Sequence, residues 1–203
     1  MTRVRRAVAG DAEALLAIKR ALALPADARE APRGGFLLGA SLERYRALID
    51  AADVWVLLDA EGAIAGFAAV LPEAVLRASE LWARRALIRW DAPGWTPPEE
   101  RMCYFDQLAI LPHARMRAPE LALTALRAAV EAGHEHLYAT IVSHPVYNAA
   151  SLPLLRALGA QRVGTVEEEY AGVGRIVSEL YYAPIAGADA RLAATPMGQR
   201  AMR

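Results

Sequence analysis

Residues 102–111, MCYFDQLAIL, place one carboxylate inside a strongly apolar run. Strand side chains alternate, so Tyr104 and Asp106 are expected on one face, with Cys103 and Phe105 on the other. An aspartate so placed needs a partner or a raised pKa. It reads either as a base reached through water or as a salt-bridged structural residue. His144, in SHPVYN after a later strand, suits proton transfer near neutral pH, and equally fits a loop histidine with no role. Cys103 is the only cysteine, which leaves no intramolecular disulfide or cysteine-based metal cluster, and its apolar surroundings favour a buried structural thiol over a nucleophile. His134 and His136, in HEH, are too close together and too poorly supported for a metal site and read as a solvated face, so no metal site is expected.

The elements that must position these groups follow from periodicity and punctuation. Residues 3–8 read as a short strand, and Asp11 as the N-cap of an amphipathic helix running to about Leu24. Pro25 to Gly39 is a loop, and Ser41 caps a second helix through Ile49. Residues 53–71 contain two apolar runs around Asp59-Ala-Glu-Gly62, an antiparallel hairpin with Gly62 at positive φ. Residues 73–90 are helix-permissive until Pro93 and Gly94. The strand over 102–111 ends at Pro112, and a long helix starts near Pro119. Further elements are a strand from His136 to Ser143, a helix from Asn148 to Leu158 stopped by Gly159, and two strands over 161–170 and 175–183.

This order gives an α/β chain with a mixed, mostly antiparallel central sheet flanked by helices, one domain over residues 1–184. The alanine-rich and polar remainder, 185–203, is expected to be a mobile tail. The 203 residues suit a single core, and their 55% hydrophobic content excludes wholesale disorder. With 23 basic and 23 acidic residues the chain has no global attraction for nucleic acid or an anionic membrane. No apolar stretch is long enough to span a bilayer, and no apolar run follows the basic N-terminal residues, so a cytoplasmic location is expected.

Three stretches resemble the GNAT superfamily of N-acetyltransferases. DQLAILPHARMRAPELALTALRAAVEAG (106–133) matches its strand, proline, arginine-bearing turn and long helix. NAASLPLLRALGAQRVG (148–164) is similar to its asparagine-led helix, glycine stop and following strand, and the hairpin ending GAIAGFAAV agrees with its third strand. The resemblance spans roughly residues 3–184.

What it implies is acetyl transfer from acetyl-CoA to a primary amine of a small molecule or peptide by direct attack. The family splays its fourth and fifth strands, here 102–111 and 136–143, so the cofactor arm would pair with main chain around Leu108, Ala109 and Ile110. Its pyrophosphate would rest on the turn Arg115, Met116, Arg117 and Ala118, with His113 supplementing the arginines, because helix-start amides favour anions. Ala118 and Glu120 stand where the family has small residues, chiefly glycine, and Pro119 removes a donor. Asn148 would contact the cofactor or simply cap its helix. The family's acid tyrosine is replaced by Leu155, leaving Tyr147 as a substitute or as a buried phenol. Asp106, Tyr104 and His144 are the remaining candidates for proton transfer. Trp82, Trp90 and Trp95 would border the acceptor cleft, belong to the core, or contact a second copy in a homodimer. Two alternatives stay open: a noncatalytic GNAT-like binding or regulatory module, and an acyltransferase using another acyl-CoA.

Overall fold

The alternation of DVWVLL puts Val54 and Val56 on one side of a strand and Trp55 and Leu57 on the other, and both sides are covered. That strand belongs to an eight-stranded sheet. The computed structural model describes residues 3–25, 28 and 30–201. In chain order the elements are β1 (Arg3–Arg6), α1 (Ala12–Ala21), α2 (Leu42–Ala51), β2 (Asp53–Leu58), β3 (Ile64–Pro72), α3 (Glu73–Arg77), α4 (Glu80–Ala83) and β4 (Arg89–Trp90). There follow β5 (Met102–Ile110), α5 (Ala118–Glu131), β6 (His136–His144), α6 (Leu152–Ala157), β7 (Gln161–Tyr170), β8 (Gly174–Pro184), α7 (Ala188–Ala193) and α8 (Pro196–Ala201). The sheet order is β1-β2-β3-β5-β6-β8-β7-β4, antiparallel except for the central pair β5 and β6.

One face packs on α1 and α2 through Leu15, Ile18 and Tyr45 against Val56, Phe67 and Tyr104. The other packs on α5 through Leu121, Ala125 and Leu126 against Leu57, Ala68 and Ile110. Ser41 caps α2 as expected, accepting from the Arg44 amide at 3.2 Å. Gly62 turns the β2–β3 hairpin at φ 84°. No helix among the described residues is long and apolar enough to cross a membrane.

The structure corrects several local expectations. Asp11 makes no cap bond at α1; its carboxylate takes both Arg5 nitrogens, at 2.6 and 2.9 Å, and the Val8 amide at 2.8 Å. It therefore ties β1 to the helix that follows. The helix-permissive stretch 73–90 is broken at Ser79, whose hydroxyl donates to Leu76 O at 2.6 Å and accepts from the Trp82 amide. A serine that bonds backbone on both sides ends one helix and caps the next. The stretch then finishes as β4, paired with β7 at the far edge of the sheet.

The segment after residue 184, read from its composition as a mobile tail, packs instead as α7 and α8. Ile185, Ala188 and Leu192 enter the α5-side core, and Arg191 donates to Leu158 O, Ala186 O and Pro184 O. Leu192 is fully buried. Leu192→Ala is accordingly expected to cost about 2–5 kcal/mol, seen as a lower urea midpoint. An unchanged midpoint would mean that the segment contributes no packing.

Candidate active site

β5 and β6 pair in parallel only from Met102↔His136 to Phe105↔Ala139, and beyond that point they diverge. On its other edge β5 stays bonded to β3 as far as Ile110, and the Leu111 amide donates to Ala65 O at 2.8 Å. Successive residues of a strand send their main-chain groups to opposite edges. The N–H and C=O of Leu108 and Ile110 therefore face the gap, whereas those of Ala109 are turned to β3. Ala109 drops out of the expected main-chain contacts, and its side chain is buried on the α1/α2 face.

At the mouth of the gap the β3–β5 register skips one residue. Ala69 pairs with Gln107 and Val70 with Phe105, leaving Asp106 as a bulge. Bulges re-aim side chains. Asp106 stays on the Tyr104 side and Gln107 joins it: Gln107 Nε2 donates to Asp106 Oδ2, and the Tyr45 hydroxyl donates to Gln107 Oε1, both at 2.9 Å. Burial, and then the Asp106 charge, push the phenols of Tyr45 and Tyr104 upward, so both hold their protons at neutral pH. Lys19, buried on α1 with Nζ 4.7 Å from the Phe36 ring centroid, is pulled below the usual lysine range by burial, with Asp106 opposing. The bulge carboxylate thus belongs to a cluster that includes Tyr45, Gln107 and Lys19, none of which was singled out from sequence.

The Tyr104 hydroxyl meets Thr140 Oγ1 at 2.5 Å, bridging β5 and β6 where the two strands begin to part. Both residues line a cavity of about 360 Å³ on the α1/α2 face of the sheet. Glu168 of β7 also lines it, held by Arg84 at 2.6 Å and by the Tyr170 hydroxyl at 3.2 Å. Trp82 and Trp90 contribute to the wall; Trp95, which does not line the cavity, meets Trp90 edge-on and lies tilted against Tyr182.

The turn between β5 and α5 is a 3₁₀ helix over Pro112–Arg117. The Ala118 amide is consumed by Arg115 O, and Pro119 has no amide to offer. Glu120 is bound by Arg117 through Nε at 3.2 Å and Nη2 at 3.0 Å, while Arg117 Nη1 reaches Leu58 O. Arg117 is therefore committed inward, Met116 is exposed, and Arg115 has no ion-pair partner among the described residues. His113 lies 3.8 Å from Asp59. Asn148 makes no cap bond; its Nδ2 donates to Gly35 O at 3.0 Å, and its buried Oδ1 lacks a hydrogen-bond partner among the described residues. His144, the last residue of β6, and Tyr147 beyond it are exposed and do not line the cavity.

No family model matches the sequence, and a search of curated proteins finds no match. Solved structures do match. An N-acetyltransferase from Staphylococcus aureus Mu50 aligns at 17% identity with a TM-score of 0.61, over 91% of this chain and 99% of that one. A GCN5-related N-acetyltransferase (GNAT) from Kribbella flavida gives 19% and 0.58, over 90% and 97%. The protein yncA from Salmonella typhimurium, solved with its cofactor acetyl-CoA, gives 15% and 0.59, over 91% and 94%.

The chain has the GNAT fold. Within it, the structure brings Tyr104 and Asp106 together at the strand divergence and leaves His144 and Tyr147 apart from them. Leu155, at the position of the family's acid tyrosine, is buried among Ile141, Leu152 and Tyr181. Glu168 was missed, although alternation in VEEEY already pairs it with Val166 and opposes it to Glu167 and Glu169. Tyr45 also left a signal, since a phenol on the apolar stripe of α2 needs a partner for its hydroxyl.

Cys103 lies on the opposite face, fully buried, and burial followed by the Asp53 charge pushes its thiol up to about 12. A thiol so raised stays protonated and unreactive at pH 8. The native protein is expected to resist a thiol reagent until urea unfolds it; prompt labelling would mean that β5 opens readily.

Proposed function

We propose that the chain is an acetyl-CoA-dependent N-acetyltransferase acting on a primary amine of a small molecule or peptide by direct attack. The observation that carries the reading is the unpaired edge of β5, where main-chain groups of Leu108 and Ile110 face the gap beside the bulged Asp106. An extended ligand can pair with such an edge as an added strand would. Asn148 Oδ1, without a hydrogen-bond partner, and Arg115, without an ion-pair partner, among the described residues further support a ligand that carries both N–H groups and phosphates. Acetyl-CoA would bring the activated thioester carbonyl.

The chain's own groups then divide the work. Leu108 and Ile110 orient the arm through backbone, and Arg115, with His113, meets the phosphates. Asp106, held by Gln107, which is itself held by Tyr45, takes a proton from the amine directly or through one water. Tyr104, whose phenol burial pushes upward, keeps its proton and with Thr140 serves as a hydrogen-bond donor and acceptor at the divergence, and the CoA thiolate released when the C–S bond breaks would take its proton from solvent. His144 and Tyr147 take no part in this reading.

The start of α5 favours a second reading, a GNAT-fold binding module without efficient turnover. With the Ala118 amide used, Pro119 lacking one and Glu120 at the first turn, the helix offers little to a pyrophosphate.

Calorimetric titration with acetyl-CoA, followed by a thiol-release assay over an amine panel, separates the two. A Kd near or below about 100 μM with turnover supports the enzyme. Binding without turnover, or no binding at millimolar cofactor, supports the module. Within the enzyme reading, Asp106→Asn is expected to lower kcat by roughly 100-fold or more while acetyl-CoA affinity stays within about twofold; undiminished kcat would remove Asp106 from proton transfer. Glu120→Gln is expected to tighten CoA binding severalfold, on the order of 1 kcal/mol, by removing a carboxylate near the phosphates. Unchanged or weaker binding would mean that this turn does not meet them.

A further inference from the structure

β3 and β5 are neighbours in the sheet, yet the chain between them does not turn straight back. It runs over β5, β6 and β8 to the far edge, pairs Arg89 and Trp90 with Thr165 and Gly164 of β7, and returns. Gly164 permits that docking: a Cβ there would lie 2.7 Å from Arg89 O. Residues 73–101 therefore form a strap that roofs the cavity beside the strand divergence.

The underside of the strap is apolar where it meets the cavity: Leu76, Leu81, Trp82, Ile88 and Trp90. The floor below it is Met102, Tyr138, Val166 and Leu180, with the Tyr104–Thr140 hydroxyl pair at the end nearest the divergence. The charged and polar groups around this space are already paired or lie at its rim. Arg84 is bound by Glu168 at 2.6 Å and Glu80 at 2.8 Å. Arg85 is exposed and lies over the Trp82 ring at 4.5 Å; Glu99 is exposed; the Tyr138 hydroxyl donates to Pro98 O at 2.9 Å. The interior thus offers no free counter-charge. A second charge on a ligand would be stripped of water without compensation, whereas an apolar body would bury its surface against this lining.

We propose that this cavity is the acceptor pocket and that it selects a primary amine with one compact apolar or aromatic body and no second charge. The amine sits at the Tyr104–Thr140 pair and the body under the strap. That the ligand is an amine, and where its nitrogen sits, rests on the acetyltransferase reading; the compact apolar body without a second charge rests on the lining.

Direct titration without turnover keeps the two separable. 2-Phenylethylamine is expected to bind at least about tenfold more tightly than agmatine, which carries a second charge. Val166→Phe fills the floor of the cavity and is expected to weaken 2-phenylethylamine binding at least about tenfold, with the urea midpoint unchanged. Trp82→Ala, at the roof, is expected to weaken it as well. Agmatine binding as tightly as 2-phenylethylamine, neither amine binding at millimolar concentration, or full affinity in a folded Val166→Phe protein would each overturn the pocket assignment. If the aromatic amine binds and is lost in Val166→Phe while acetyl-CoA fails to bind, the ligand class stands and the acetyltransferase reading falls.

Discussion

A strand edge in the middle of a sheet normally has no free hydrogen-bonding groups, because each neighbour supplies the partners. β5 and β6 break that arrangement. They share their ladder only as far as Phe105↔Ala139, and past that pair β6 follows β8 while β5 stays with β3. The cost of leaving main-chain groups unpaired between two buried strands is tolerable only where a ligand or water completes them. The bulge at Asp106, the hydroxyl bridge from Tyr104 to Thr140, and the placement of α5 and α6 on one face with α1, α2 and the strap on the other are all arranged about this one divergence.

The two faces carry different chemistry. On the α5 side the surroundings of the gap are aliphatic, with Leu121, Leu126, Leu154 and Leu158 fixing the helices. On the other side the polar cluster of Asp106, Gln107 and Tyr45 lies above, and the strapped cavity below. Polar groups are retained inside this half of the molecule because each has a partner: Tyr45 with Gln107, Gln107 with Asp106, Tyr104 with Thr140, Glu168 with Arg84. Such pairing holds the carboxylate in one orientation without burying an uncompensated charge.

Much of the scaffold is legible in the sequence because it is locally encoded. Gly62 at positive φ, Ser41 at a helix start, Pro119 in the first turn of α5 and Gly159 after α6 each impose their conformation through their own chemistry. What was not legible depends on partners far along the chain. MCYFDQLAIL contains no glycine or proline to announce a bulge; the skip at Asp106 exists only relative to β3, and it is what brings Gln107 onto the Asp106 face. β4 is two residues long and depends on Gly164, more than seventy positions away, for room to dock. Asp11 looked like a cap because of its position before a helix, but Arg5 is a stronger partner than a helix amide. The tail reads as mobile by composition, yet Leu192 alone supplies a fully buried contact that composition cannot express.

The opened edge of β5 is tested most directly by residue-resolved amide exchange in solution, with and without acetyl-CoA. If Leu108 and Ile110 are the groups that receive the ligand, their amides slow on its addition. The Ala109 amide, already turned to β3, keeps its rate. Binding of acetyl-CoA that leaves Leu108 and Ile110 unchanged, or that protects Ala109 instead, would contradict the assignment of this edge as the binding edge.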